Sequence, residues 1–484
     1  MGLDRQVFLC LILFALNTSD SPPPVNGKSN CPPASGLFAA AAAADITPAS
    51  SQFLWGYPHV ARMSTGVHDP LLASALYLGD GATELLFVGC DVLVVSNAIA
   101  SRARRRIEAV TGVPASHIVV SATHTHSGPK TANTLGQEAD PVVPMADEAY
   151  LQKLEDGIVE AASQAWRGRV PAEAGFAMAD GRGVGTNRHD PDGPCDLRVP
   201  VLMVRALDDM RPLGLMLTVC MHPTVLHEDS TLISADFPGF ARQDLQRSFP
   251  GCPVIYHMGP SGNQSPRHVT RANTFEEAGR LGEILGSAVR SALENVRFTS
   301  SVPLVCLTAE VALSARTFPS SAEAATALAA SHARLEALRQ AGAPRAEVRT
   351  AECDWFGAEK TLVLARAAES GGVQEALAVI LPAKIQVIGI GPCTYVAWPG
   401  EMFVEFGLEV ARHRPGTHVI SLANGTLHGY LVTQEAVERG SYEAGNALLS
   451  SPASGEQLVR ATLELLDRLP SPEERMPIHP ILFT

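Results

Sequence analysis

The sequence predicts an α/β fold: a catalytic domain on a mixed β-sheet, with flanking helices and an inserted helical hairpin. Three observations carry this expectation. Strand-like apolar runs and helical periodicities alternate along most of the 484 residues, as in a sheet covered by helices. Several strand-like runs end in polar loops containing His, Ser, Asn or Glu, where sheets commonly carry chemistry. Between residues 320 and 370 the alternation stops, and the composition turns to Ala, Leu and Glu at helical spacing.

In chain order, "GLFAAAAAADITP" reads as the first strand. "ALYLGDGATELLFVGCDVLVV" reads as two strands about a Gly-Asp-Gly turn. "SNAIASRARRRIEAVTGV" is helical, with Ser96 or Asn97 as N-cap and Gly112 near its end. The cluster Arg102, Arg104, Arg105 and Arg106 is expected on its solvated side. A strand then runs to His124, and an amphipathic helix covers 147–167. "RVPVLMVRAL" and "PLGLMLTVCMHP" are strands, and "TFEEAGRLGEILGSAVRSALENV" is a helix. The helical hairpin of about 320–370 follows, with His332 on its surface. The chain returns to strands at "ALAVILPAKIQVIGIGPCTYVAWPGE".

Residues 1–36 stand apart. "VFLCLILFAL" is an apolar run of ten, too short to span a bilayer, and a Pro/Ser/Asn-rich stretch follows it. This reads as a signal-like leader and linker, with the catalytic domain at 37–484. Export to the periplasm or beyond is the expectation; a cytoplasmic protein with an accidental apolar leader is the alternative. No other stretch is long and apolar enough for a transmembrane helix. The net charge of −13, without a long basic run, argues against nucleic acid as the main partner. Nine scattered cysteines without a Cys-x-x-Cys offer neither a zinc knuckle nor a disulfide framework.

The stretch "IVVSATHTHSGP" ends an apolar run in two histidines. Side chains two apart on a strand share a face, so His124 and His126 are expected side by side at its end. Such a pair could hold a metal, share protons or hydrogen-bond to a turn. His222, Ser265, Glu401, Asn424, His428 and Tyr430 stand at other strand-to-loop junctions.

Taken in order, "SATHTHSGP", "NR" at 187–188, "HPTVLHEDSTLISADFPGFA", "GNQSP", "PGE" and "ANGTLHGYLVTQEAVERGSYEAG" resemble the successive signatures of the neutral/alkaline, non-lysosomal ceramidases. The resemblance runs from about residue 44 to about 447. Those proteins are zinc amidases that cut the N-acyl bond of ceramide into sphingosine and a fatty acid. The resemblance implies Zn2+ as cofactor, with His124, His222, Glu401 and Tyr430 as ligands. Tyr430 and Tyr442 keep the family's spacing of twelve. His126 matches a second, non-ligand histidine, Arg188 an active-site arginine, and Ser265 the serine of a Gly-Asp-x-Ser-Pro loop.

Zinc takes imidazole nitrogen and carboxylate oxygen and, in catalytic sites, leaves a position for water. His126 would then be the general acid for the amine, and Tyr442, Arg188 or Ser265 would donate to the developing oxyanion. The alternative of Ser265 as covalent nucleophile has no dedicated base in the sequence. The loop here reads "GNQSPR", and the arginine sits in "NRHDP" rather than Asn-Arg-Ser-Pro. The family's C-terminal β-sandwich is expected to be absent, since the sequence ends about forty residues past Tyr442. The expected substrate is ceramide, with peripheral membrane contact. The alternatives are another N-acyl amide or peptide, or a non-catalytic envelope ligand-binding protein of the same fold.

Overall fold

The computed structural model describes residues 36–137 and 140–476; the leader-like segment before Gly36 lies outside them. The larger sheet contains β1 (Leu37–Asp45), β2 (Leu72–Gly79), β3 (Glu84–Cys90), β4 (Ile118–Ala122), β5 (Val170–Asp180), β6 (Arg198–Ala206), β7 (Pro212–Val219) and β8 (Val254–Met258). Their spatial order is β8–β7–β6–β5–β1–β2–β3–β4, and the short strand Phe298–Thr299 also pairs with β5. The end pairs β8/β7 and β3/β4 are parallel, and the pairs between are antiparallel.

This sheet curls until its ends approach. Gly89 of β3 faces the Tyr256 carbonyl of β8 so closely that a Cβ would stand 2.4 Å from the oxygen, and only glycine permits that approach. Ser121 of β4 and His257 of β8 are hydrogen-bonded at 2.7 Å across the gap.

A second sheet comprises β9 (Leu304–Val311), β10 (Ala383–Ile390), β11 (Cys393–Ala397) and β12 (Thr417–Ile420), paired in that order with β11/β12 parallel. Period-2 alternation divides its side chains between two cores. Ile388 and Ile390 face Phe87, Leu202 and Met216 of the larger sheet. Ile385 and Val387 face the opposite way, toward Phe406 and Leu458.

Helices close the outer faces. α1 (Asn97–Thr111) and α2 (Glu148–Arg167) cover one part of the larger sheet; α3 (Asp236–Ser248) and α4 (Phe275–Leu293) cover another. The hairpin is α5 (Ser321–Gln340) and α6 (Arg345–Ser370), followed by α7 (Gly372–Ile380). α8 (Val404–His413) and α9 (Ala453–Arg468) cover the smaller sheet. Among the described residues no helix is long and apolar enough to cross a membrane.

Local chemistry sets the helix ends. Ser96 caps α1 through Ile99 N–H, and Gly112 ends it in the left-handed region at φ 80°. Asn97 instead accepts from Thr426 N–H at 3.0 Å. Two expectations need correction. β4 stops at Ala122, and His124 has φ 70°, so the chain turns there instead of continuing as strand. The "ALAVI" expected as strand is the second half of α7, because Val373 and Ile380, seven apart, bury one helical face. Arg102, Arg105 and Arg106 lie on the exposed side of α1 as expected, where Arg102 and Arg106 also bind the buried Glu155 of α2 at 2.7 and 2.9 Å.

The loop after β12 stitches the two sheets. Ser421 N–H donates to Met258 of β8 at 2.8 Å, and Asn424 N–H to Val120 of β4 at 2.6 Å. The Asn424 side chain accepts from Val120 N–H at 3.0 Å and donates to Gln386 of β10 at 2.6 Å. Asn424 therefore organises the fold. Asn424→Ala is expected to destabilise the protein by about 1–3 kcal/mol through the buried partners it leaves unpaired. A lower urea midpoint would check this; an unchanged midpoint would contradict it.

Candidate active site

The parallel pairing of β7 with β8, β3 with β4 and β11 with β12 points the C-terminal ends of several strands the same way, where open α/β sheets place ligands. His124 follows β4 and His222 follows β7. Each ring is turned by a main-chain carbonyl: His124 Nδ1 lies 2.7 Å from Leu93 O, and His222 Nδ1 lies 2.9 Å from Gln264 O. A carbonyl only accepts, so both Nδ1 atoms carry the proton and both Nε2 atoms offer lone pairs.

Glu401 meets those lone pairs. Its carboxylate lies 3.1 Å from His124 Nε2 and 3.9 Å from His222 Nε2. A two-residue parallel pairing, Glu401–Met402 with Tyr430–Leu431, sets Tyr430 directly beside Glu401. His124 Nε2, His222 Nε2 and the outer Glu401 oxygen are buried without hydrogen-bond partners. Buried polar atoms are almost always satisfied; three lone pairs orphaned together fit a cation.

His126 stands in the same cluster. Ligand atoms of His124, His126 and His222 all lie within 4.8 Å of one another, a group that could hold a metal ion. The His124 and His126 rings are 5.0 Å apart at 86°. Strand alternation does not produce this adjacency; the turn at His124 does. His126 Nδ1 packs on Gly56, where a Cβ would come within 2.4 Å, and its Nε2 has no partner. Burial, with His124 and Arg62 adding, holds its pKa well below the usual range, so the ring is neutral.

The short strands Thr186–Asn187 and Gln264–Ser265 pair with each other and so join "NR" to "GNQSP". The Ser265 hydroxyl accepts from Arg267 N–H at 3.1 Å and caps a turn of 3₁₀ helix. Asn263 explains one departure from the family loop. It donates to both Glu405 oxygens at 3.1 and 2.9 Å and accepts from Val404 N–H. An aspartate there would face a second carboxylate.

Arg188 bonds Glu443 through Nε and Nη2, at 2.8 and 2.5 Å, and also the Tyr430 side chain. Burial lowers the Arg188 pKa, but Glu443 and Tyr430 more than offset it. Burial pushes the Tyr430 phenol up, opposed by Arg188, and burial likewise keeps Tyr442 protonated, a donor.

His124, His126, Glu401, Tyr430 and Tyr442 line a cavity of ≈ 290 Å³, with apolar walls from Trp55, Leu135, Phe356, Val363 and Leu364. His428 also lines it, and burial lowers its pKa to about 4. α6 thus forms cavity wall, and its Gly357 packs on the main chain of Tyr442.

Sequence reasoning gave no role to Glu443, although it lies beside Tyr442 in the last signature, and it missed the wall residues of α6. A glycine inside a helix costs about 1 kcal/mol relative to Ala; Gly357 was therefore a legible sign of close packing.

Residues 39–251 match the family model described as neutral/alkaline non-lysosomal ceramidase, N-terminal. The N-terminal part of the chain is therefore similar to that family. Solved ceramidases share its fold. The crystal structure of neutral ceramidase from Pseudomonas aeruginosa superposes with a TM-score of 0.68 at 19% identity, covering 90% of this chain and 75% of that one. A structure of a ceramidase complexed with C2 gives 0.67 at 18%, covering 90% and 76%. A comparison with curated proteins finds no match. The ceramidase fold thus spans nearly the whole described chain, beyond the segment that the family model matches.

Proposed function

We propose that this protein is a zinc-dependent amidohydrolase that cleaves the N-acyl amide bond of ceramide to a fatty acid and a sphingosine-like base. One observation carries the reading: three buried, unpartnered lone pairs of His124, His222 and Glu401 converge beside a largely apolar cavity that His124 and Glu401 line. Tyr430, paired beside Glu401, would complete the ligand set. Zinc held there supplies a Lewis acid for the amide carbonyl and acidifies water.

The chain's own residues do the rest. Neutral His126 accepts a proton from the attacking water at Nε2 and returns it to the leaving nitrogen. Tyr442 and Arg188 donate toward the carbonyl oxygen as charge develops on it. The apolar walls hold an acyl chain and exclude bulk water. A ligand cavity for a drug-sized molecule measures roughly 300–1,000 Å³, so ≈ 290 Å³ takes the amide and part of one chain. The remainder of a two-chain lipid leaves through the mouth toward a membrane surface. A leader at residues 1–36 fits an exported enzyme.

Ser265 is not the nucleophile in this reading, because its hydroxyl caps a turn and no base touches it among the described residues. Ser265→Ala is expected to keep kcat within about tenfold, whereas loss of a true nucleophile costs on the order of 10⁴ or more. Steady-state kinetics of the variant decides between them.

The function is tested by fatty-acid release from ceramide and from short-chain N-acyl amides, after chelation and after zinc is restored. Zinc-dependent cleavage of ceramide supports the proposal. Cleavage of the short amides alone would move the substrate to a smaller N-acyl amide, and no cleavage of either would overturn the amidase reading.

A further inference from the structure

We propose that Glu443 is a positioning residue of this site: its carboxylate aims the Arg188 guanidinium at Tyr430, which lines the cavity. Glu443 is buried, and one of its oxygens takes three donors. Arg188 gives Nε at 2.8 Å and Nη2 at 2.5 Å, and His189 lies at 3.1 Å. Arg188 is thereby gripped on one edge. The guanidinium carbon stands 5.5 Å from the Tyr430 ring centroid, and Arg188 bonds the Tyr430 side chain. A planar guanidinium fixed along one edge has little freedom to choose what the other edge meets. An arginine without that carboxylate would sample several rotamers and swing toward solvent.

The carboxylate is itself held. Glu443 follows Tyr442 on a four-residue helix, Tyr442–Gly445, capped by the Ser441 side chain through Ala444 N–H. α6 packs on this turn without side chains between them. A Cβ on Gly445 would stand 2.7 Å from the Gly357 carbonyl oxygen, and one on Gly357 would stand 3.2 Å from Tyr442 Cα. One short turn, buttressed by the hairpin, therefore sets both a donor in the cavity and the group that aims Arg188.

The inference rests on the proposed amidase reading for its kinetic consequence, but not for its geometry. The test compares wild type with Glu443→Gln, which keeps the shape and removes the charge, and with Glu443→Asp, which keeps the charge and withdraws it. Crystal structures of both metal-free variants read the guanidinium directly. It is expected to leave the Tyr430 hydroxyl in Glu443→Gln and to remain on the carboxylate in Glu443→Asp. A guanidinium unmoved in Glu443→Gln would overturn the proposal.

In turnover of ceramide, Glu443→Gln is expected to lose on the order of 10²-fold in kcat, the scale of a misplaced group, with KM within about threefold. Combined with Arg188→Met, it should slow the enzyme no further than Arg188→Met alone, since residues that act as a unit are non-additive. Losses that multiply would show that Glu443 acts independently and would overturn the proposal. If the wild type cleaves no amide, the amidase reading fails, and the crystallographic comparison alone decides where Glu443 holds Arg188.

Discussion

His222→Ala is expected to remove bound zinc and turnover together. The His222 ring is buried, its Nδ1 is committed to the Gln264 carbonyl, and its Nε2 has no hydrogen-bond partner among the described residues. Nothing about that Nε2 serves the fold. Burial, with His124 and Arg188 adding, holds the His222 pKa well below the usual range, so the lone pair is available at neutral pH. The loss in kcat/KM is expected to be on the order of 10⁴-fold, the rate equivalent of the several kcal/mol that a Lewis acid supplies. Metal analysis of the purified variant and hydrolysis assays check both halves. The circular dichroism spectrum of the variant should match that of wild type, because the deletion uncovers one main-chain carbonyl. Retained zinc with lost turnover would take His222 out of the ligand set.

His126→Ala is expected to part the two properties that His222→Ala loses together. Zinc stays and turnover of ceramide falls by about 10²–10⁴-fold, the usual worth of general acid–base catalysis. The reason lies in the leaving group. An aliphatic amine departs from a tetrahedral carbon only when protonated, and His126 is the neutral imidazole in the cavity wall with an unpartnered Nε2. A nitroanilide, whose amine leaves with far less help, should lose roughly tenfold or less in the same variant. The comparison of the two substrates therefore separates a proton-transfer role from general damage. His126 also lies within reach of His124 and His222, the two histidines proposed as ligands. Loss of zinc in His126→Ala would make it a ligand and would return the proton chemistry to another group.

The fold class was legible because strand and helix periods differ and this chain keeps both cleanly. β2 and β3 appeared on either side of their turn, α1 appeared with its caps, and α2 and α4 appeared as helices. The split into two stacked sheets was not legible. β10 carries apolar residues on both faces, and a strand buried on both sides reads the same in one sheet as in two. α7 was misread because its "LAVI" is a short apolar run, the case where periodicity cannot separate helix from strand.

The site divides in the same way. His124, His126, Glu401 and Tyr430 line one cavity, and His222 joins His124 and Glu401 beneath it. The reason that they converge lies in the curl of the large sheet and in the Asn424 stitch, neither of which any local window of sequence contains. The pairing of Glu443 was not legible for a related reason: its partner Arg188 stands 255 residues away.

The central claim is that His124, His222, Glu401 and Tyr430 hold one zinc ion, and anomalous diffraction from zinc-soaked crystals at the zinc edge tests it most directly. The account predicts a single strong peak about 2.0–2.2 Å from both Nε2 atoms and the Glu401 carboxylate, with the Tyr430 oxygen turned toward it. A peak held by His126 in place of Glu401 or Tyr430, or no peak within this cluster, would contradict the account.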